Sequence, residues 1–402
     1  MKCSNIAVAW VLTALAGCGN GTTNPGVDGG SDMQQQNGAG IQFSASGEVL
    51  ALGGYAYPPV NMGDAAFVDG WQIHFSKLLV TIDKIKLWTN PDTSATDQSQ
   101  VGTQVAELDG PWAIDLHKGG PLPGKGGGNE QAYPIATLDN QNKNGNAPFD
   151  PTMRYAFGFD LIPATASATR LQLDANDPDY AEMISKGYVV LYVGTATWKG
   201  NGAGGAACTT TNAAFDFTQE PFKGDKTVNF RFGFKSPTSY INCQNPDNDP
   251  AMGLGMEDHQ RGVQVKAGQT VTAQVTVHTD HPFWESFTHD TPAHFDQLAA
   301  LAKMDGAGNW NVTLDDTVGV NYKAFKFNGT GLPWRACLAG YTPPDTNMTM
   351  DFDSLTIPYN PAGTPATSMR DYNDYMTYDQ STQGHLNSDG LCFVQRHYPS
   401  PN

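Results

Sequence analysis

The chain has 402 residues, is rich in Gly (44) and Pro (26), and carries only 16% charged against 39% hydrophobic residues. That length admits one large β domain with long insertions or several ordinary domains, and the turn-rich composition points to an exported β protein rather than a helical enzyme. Forty acidic against 23 basic residues give a net charge of −17; with no basic cluster, this disfavours nucleic-acid binding and electrostatic attraction to anionic lipid headgroups.

In chain order, "MKCSNIAVAWVLTALAGC" opens with one basic residue, Lys2, followed by an apolar run from Ile6 to Leu15. The run is too short to span a bilayer and fits a signal peptide over residues 1–17. Its ending, Leu15-Ala16-Gly17-Cys18, resembles the lipobox of bacterial lipoproteins. The resemblance implies acylation of Cys18 and attachment to a membrane through that lipid. Gly19 in the next position favours the outer membrane, with the protein facing periplasm or exterior. An ordinary cleaved signal is the alternative. Residues 18–40 hold almost nothing to bury and read as a flexible tether. No protein partner can be named.

From residue 41 the pattern is that of strands. "IQFSASGEVLALGG" alternates, and "WQIHFSKLLVTIDKIKLW" places Trp71, Ile73 and Phe75 on one face. Val80 and Ile82 continue after a change of phase, the mark of a bulge or turn. "PWAIDL", "RYAFGFDLI", "ATRLQL", "GYVVLYVGTATW", "AAFDFT", "TVNFRFGF" and "GVQVKAGQTVTAQVTVH" follow, separated by Gly, Pro, Asn and Asp clusters. The expected fold is mainly β: an antiparallel β-sandwich over 41–281 with long loops and one or two short helices. Residues 282–402 read as a helix, with Thr291 as N-cap and Pro292 at its first position, plus a disulfide-closed irregular extension packed on the sandwich. Cys208, Cys243, Cys337 and Cys392 have no CxxC spacing and read as two disulfides in an oxidising compartment. Of the three pairings, the nearest-neighbour one is favoured: Cys208–Cys243 and Cys337–Cys392.

"VHTDHPFWESFTHDTPAHF", residues 277–295, concentrates His278, His281, His289 and His294. Alternation in "QTVTAQVTVH" puts Val271, Ala273, Val275 and Val277 on the buried face, so His278 ends the polar face beside Thr276 and Gln274. A short helix started by Pro282 would bring His281, Glu285 and His289 to one side, near His278 and His294. Imidazoles with a carboxylate suit zinc or copper. HExxH is absent, so a zincin protease is not indicated. His259 could add a further ligand, with Met252 and Met256 as soft donors for copper(I). The plainer readings are a polar elbow packed by its aromatic residues, or catalysis without metal.

Other motifs are weaker. "NQNKNGNAPFD" mimics a calcium loop through Asn140, Asn142, Asn144 and Asp150, but its amides are neutral and it reads as a turn. Asp174, Asp177 and Asp179 look like a helix-capping turn. No GxSxG, P-loop or GxGxxG supports nucleophilic or nucleotide chemistry. In "MRDYNDYMTYDQ", Tyr372, Tyr375 and Tyr378 form either a sugar-stacking strip or, the favoured reading, the packed face of a helix.

Beyond its lipobox, the chain is similar in layout to exported copper-binding lipoproteins of the methanobactin-partner (MbnP-like) class. The features in common are a strand-rich body opening with "WQIHFSKLLVTIDKIKL" and segments bearing His and Trp. The resemblance implies copper and carries over no ligand residue. The expected function is a lipid-anchored protein that holds copper or zinc at the histidine cluster. The alternatives are a surface binding or adhesion module for carbohydrate or protein, and a metal-dependent enzyme.

Overall fold

In the computed structural model the segment after Gly70 runs as one strand, Trp71–Thr89. The structure describes residues 39–61, 64–200, 209–210, 226–251, 257–285, 292–321, 326–327, 330–331, 335–338, 360–364 and 367–399. The expected signal peptide, Cys18, most of the expected tether, Cys208, Met252, Met256 and His289 lie outside the described residues, as does the "AAFDFT" segment.

Trp71, Ile73 and Phe75 enter the core, and the register then shifts between Phe75 and Lys77. After the shift Leu78, Val80 and Ile82 join the same core, while Leu79 faces a second cluster with Tyr180 and Met183. One inserted residue exchanges the two faces of a strand, so the broken alternation still buries one continuous apolar surface. A second shift, between Asp83 and Lys86, coincides with left-handed backbone at Lys84 (φ 48°).

Among the described residues this strand belongs to a twelve-stranded sheet. Its main path runs Lys303–Met304, Trp310–Thr313, Thr227–Phe234, Val190–Trp198, Trp71–Thr89, Arg154–Leu161, Thr238–Ile241 and Phe393–Arg396. A five-stranded sheet orders Gly384–Leu386, Thr270–Val277, Gly40–Ser46, Gln131–Leu138 and Leu122–Pro123. The fold is mainly β, as expected. Most pairings are antiparallel, but both sheets are mixed: Gly40–Ser46 runs parallel to Thr270–Val277, and Thr227–Phe234 to Trp310–Thr313. Ile41, Phe43, Ala273, Val275 and Val277 of the smaller sheet share one core with Phe157, Tyr192 and Phe230 of the larger. The rings of Phe43 and Phe157 stack across it at 6.0 Å. Each such buried side chain contributes roughly 1.5–3 kcal/mol by leaving water.

Residues beyond 282 supply strands to both sheets, Trp310–Thr313 and Phe393–Arg396 to the larger and Gly384–Leu386 to the smaller. Residues 37–402 form one compact unit. No helix among the described residues is long and apolar enough to cross a membrane.

Three local expectations are corrected. The disulfide is Cys243–Cys392, not a pair of sequence neighbours. Sheet register explains it: Ile241 pairs with Phe393, which brings the two cysteines flanking that pair together. Cys337 is also disulfide-bonded, and the pairing of Cys208 lies outside the described residues. Second, where a helix is expected over 281–289, the described residues 281–285 form one 3₁₀ turn, His281–Phe283, after which Trp284 returns to extended backbone (φ −62°, ψ 151°) and bridges to Ala293. Third, the helix expected from Thr291 begins at Asp296. Its first N–H groups, of Phe295 and Asp296, donate to the Asp69 carboxylate at 2.7 and 2.8 Å, a cap supplied by a remote segment.

Elsewhere local chemistry is as read. Asp177 caps the helix Pro178–Lys186 by accepting from the N–H groups of Asp179 and Tyr180. Backbone bonds from Gln141 N–H to the Ala147 carbonyl and from Ala147 N–H to the Asn144 carbonyl close residues 141–147 into a turn, and Asn142 ties it to the Glu107 backbone in both directions. The tyrosine segment is the helix Tyr372–Gln380, with Tyr372 and Tyr375 buried; their rings form a packed face, not a sugar platform.

Candidate metal centre

The centre begins with strand periodicity. In Thr270–Val277, Ala273, Val275 and Val277 face the core, while Gln274 and Thr276 lie on the opposite face with His278 continuing it. That polar face is not solvated: Gln274 and Thr276 are 0% exposed and His278 is 7%. Gln274 satisfies its side chain by donating to Glu130 Oε1 (2.8 Å) and Thr276 Oγ1 (3.0 Å) and accepting from Lys125 N–H. The edge strand Gly384–Leu386 pairs Thr276 with His385, which puts His385 on this same face beside His278. The two imidazoles stack with centroids 4.0 Å apart.

His281 arrives from the 3₁₀ turn. Its ring stands nearly perpendicular to both others, with centroids 5.4 Å from His278 and 5.3 Å from His385, and it stacks on Trp284 at 3.7 Å. His281 Nδ1 lies 2.7 Å from Thr382 Oγ1, and the Thr382 hydroxyl itself donates to the Asp379 carbonyl at 2.7 Å. A hydroxyl has one proton, so Nδ1 must be the donor, and the lone pair of His281 is on Nε2.

His278, His281 and His385 each present a ligand atom within 4.8 Å of the other two, and all three are buried. This group can hold a metal ion. Donors about 2.0–2.1 Å from a tetrahedral ion lie about 3.4 Å apart, so closure requires only small ring movements.

Carboxylates surround His278. Its Nε2 is 3.1 Å from the Ser388 carbonyl, 3.4 Å from Glu48 Oε1 and 3.9 Å from Asp389 Oδ1. A carbonyl only accepts, so Nε2 carries a proton here and Nδ1 is left to the histidine group. Burial pushes the His278 pKa down, but the charges of Glu48 and Asp280 outweigh it and hold the ring's pKa above the usual histidine value. Burial lifts the Glu48 carboxyl to about 7, against the opposing pull of His278.

Of the ligands read from sequence, His278 and His281 come together; among the described residues Glu285, His294 and His259 do not join them. Glu285 uses its backbone N–H to bond the Pro292 carbonyl, and it belongs to no converging ligand group among the described residues. His294 is fully buried, its backbone N–H donating to the Phe283 carbonyl, and desolvation drives its pKa to about 3 and keeps it neutral. His259 is held in a loop, its N–H donating to Gln244 Oε1. His289 lies outside the described residues. The candidate ligand that sequence reasoning missed is His385, together with the flanking Glu48 and Asp389. A signal existed in "GHLNSDG", where an Asn-Ser-Asp-Gly turn after His385 marks a hairpin.

No protein-family model, curated protein or solved structure matches the chain.

Proposed function

We propose that the protein binds a transition metal, copper or zinc, through His278, His281 and His385, and that it does so outside the cytoplasm as a lipid-anchored binding protein. The observation that carries this reading is the convergence of three buried imidazoles from three separate elements, with the tautomer of one set by Thr382. Neutral imidazole nitrogens in a dry pocket suit zinc and copper and suit magnesium or calcium poorly. A hydrogen-bonded Nδ1 on a ligating histidine is the outer-sphere arrangement that metal sites use to orient the ring. Export is supported by the disulfide and by the N-terminal sequence.

The test is elemental analysis and calorimetric titration of the chain from residue 37 onward. One equivalent of zinc or copper should bind tightly, and His281→Ala and His385→Ala should each abolish that tight binding. A protein that takes up neither ion, with an unchanged melting temperature in their presence, would refute the reading.

A further inference from the structure

Glu48, His278 and Asp389 bring a second set of ligand atoms within 4.8 Å of one another. Exposure rises along this set: the side chains of His278, Glu48 and Asp389 are 8%, 18% and 72% exposed. Behind them, His281 and His385 are fully buried. His278 Nε2 already stands 3.4 Å from Glu48, the spacing of about 3.4 Å that a tetrahedral ion imposes on its donors. Asp389, at 3.9 Å on a surface turn, needs to move by only about half an ångström to match it. Two residues that shape this corner hold left-handed backbone, Glu48 (φ 63°) and Ser388 (φ 77°). That conformation is costly for residues with a β-carbon, and such strain clusters where it positions functional groups.

We propose that Glu48, His278 and Asp389 form an outer metal position through which the ion enters and leaves the buried histidine group, with His278 belonging to both sets. The proposal rests on metal binding by that group. The two positions differ in chemistry as a transfer route requires. The exposed Asp389 carboxylate draws a cation out of solution and raises its encounter rate. Three imidazoles in a water-poor pocket then hold a borderline ion more selectively. Coordination at His278 Nε2 requires the other neutral tautomer, so a proton leaves Nε2 while Nδ1 takes one up, and the exchange reverses when the ion moves inward to Nδ1.

Asp389→Asn, a change at an exposed turn, and Glu48→Gln are to be compared with the unaltered protein by stopped-flow mixing with Zn²⁺ and by equilibrium titration. In both variants loading and release should slow by about tenfold or more, because a transfer station alters both rates alike; the Kd of the histidine group should change little in Asp389→Asn, whereas Glu48→Gln, which also alters proton competition at His278, is judged on its rates alone. Loading should also lose much of its dependence on salt. In a His385→Ala background, weak Zn²⁺ binding should remain and should disappear on adding Asp389→Asn. Unchanged rates in the folded Asp389→Asn protein would overturn the entry route while leaving the histidine site standing. Faster release alone would also overturn it, since the carboxylates would then be ligands of the inner group. An unaltered protein that binds no Zn²⁺ would overturn both readings.

Discussion

At the residue scale, the centre depends on where three imidazoles keep their protons. A ligating nitrogen must shed its proton, so metal affinity falls as pH drops through the pKa of the ring. The carboxylates of Glu48 and Asp280 raise that pKa for His278, so the loss should begin above the ordinary histidine value of about 6.5. Kd measured from pH 8 downward should show this early onset. Glu48→Gln, which removes a charge that stabilises the proton, should move it to lower pH. Thr382 acts on the site through His281. Thr382→Val keeps the shape but deletes the acceptor for Nδ1–H, and affinity should fall about ten- to a hundredfold, with Thr382→Ser restoring it. His278 was legible in sequence because it ends a cleanly alternating strand; His281 was singled out through an expected helix over 281–289 that the 3₁₀ turn replaces. Their partner was not, since nothing near His385 in sequence says which strand its hairpin will pair with.

At the element scale, short-range rules performed where the relevant contacts are short-range. Asp177 caps its own helix, the Asn-rich segment closes its own turn through the Gln141 N–H on the Ala147 carbonyl, and the phase change after Phe75 is the observed register shift. They failed at residues 281–296, where remote groups decide the backbone. Ala293 pairs with both Trp284 and Phe67, and Asp69 caps a helix from 226 residues away along the chain. Pro292 and Thr291 looked like a helix start because that signature is local, but the extended pairing outweighs it. Asp69→Ala should therefore destabilise the fold by about 2 kcal/mol or more, since two buried N–H groups lose their acceptor. Urea denaturation of the variant, read by its midpoint at constant slope, measures this.

At the scale of the whole molecule, the disulfide Cys243–Cys392 ties two strands separated by 149 residues in sequence. The chain-entropy treatment assigns a loop of that length about 5 kcal/mol. A Cys243→Ala, Cys392→Ala variant should lose several degrees of melting temperature. It should also bind metal more weakly, because Cys392 closely follows the hairpin that carries His385. Adding the bound ion should recover part of the lost melting temperature by mass action. Alternation, turn residues and the caps built from adjacent residues were determined by the sequence itself, since sterics and hydrogen bonds over a few residues need no knowledge of the rest. The burial of the polar face of Thr270–Val277, the cysteine pairing and the arrival of His385 beside His278 were decided only by the tertiary structure. Each depends on strand register between distant segments, and that register is set by how two sheets bury one shared core.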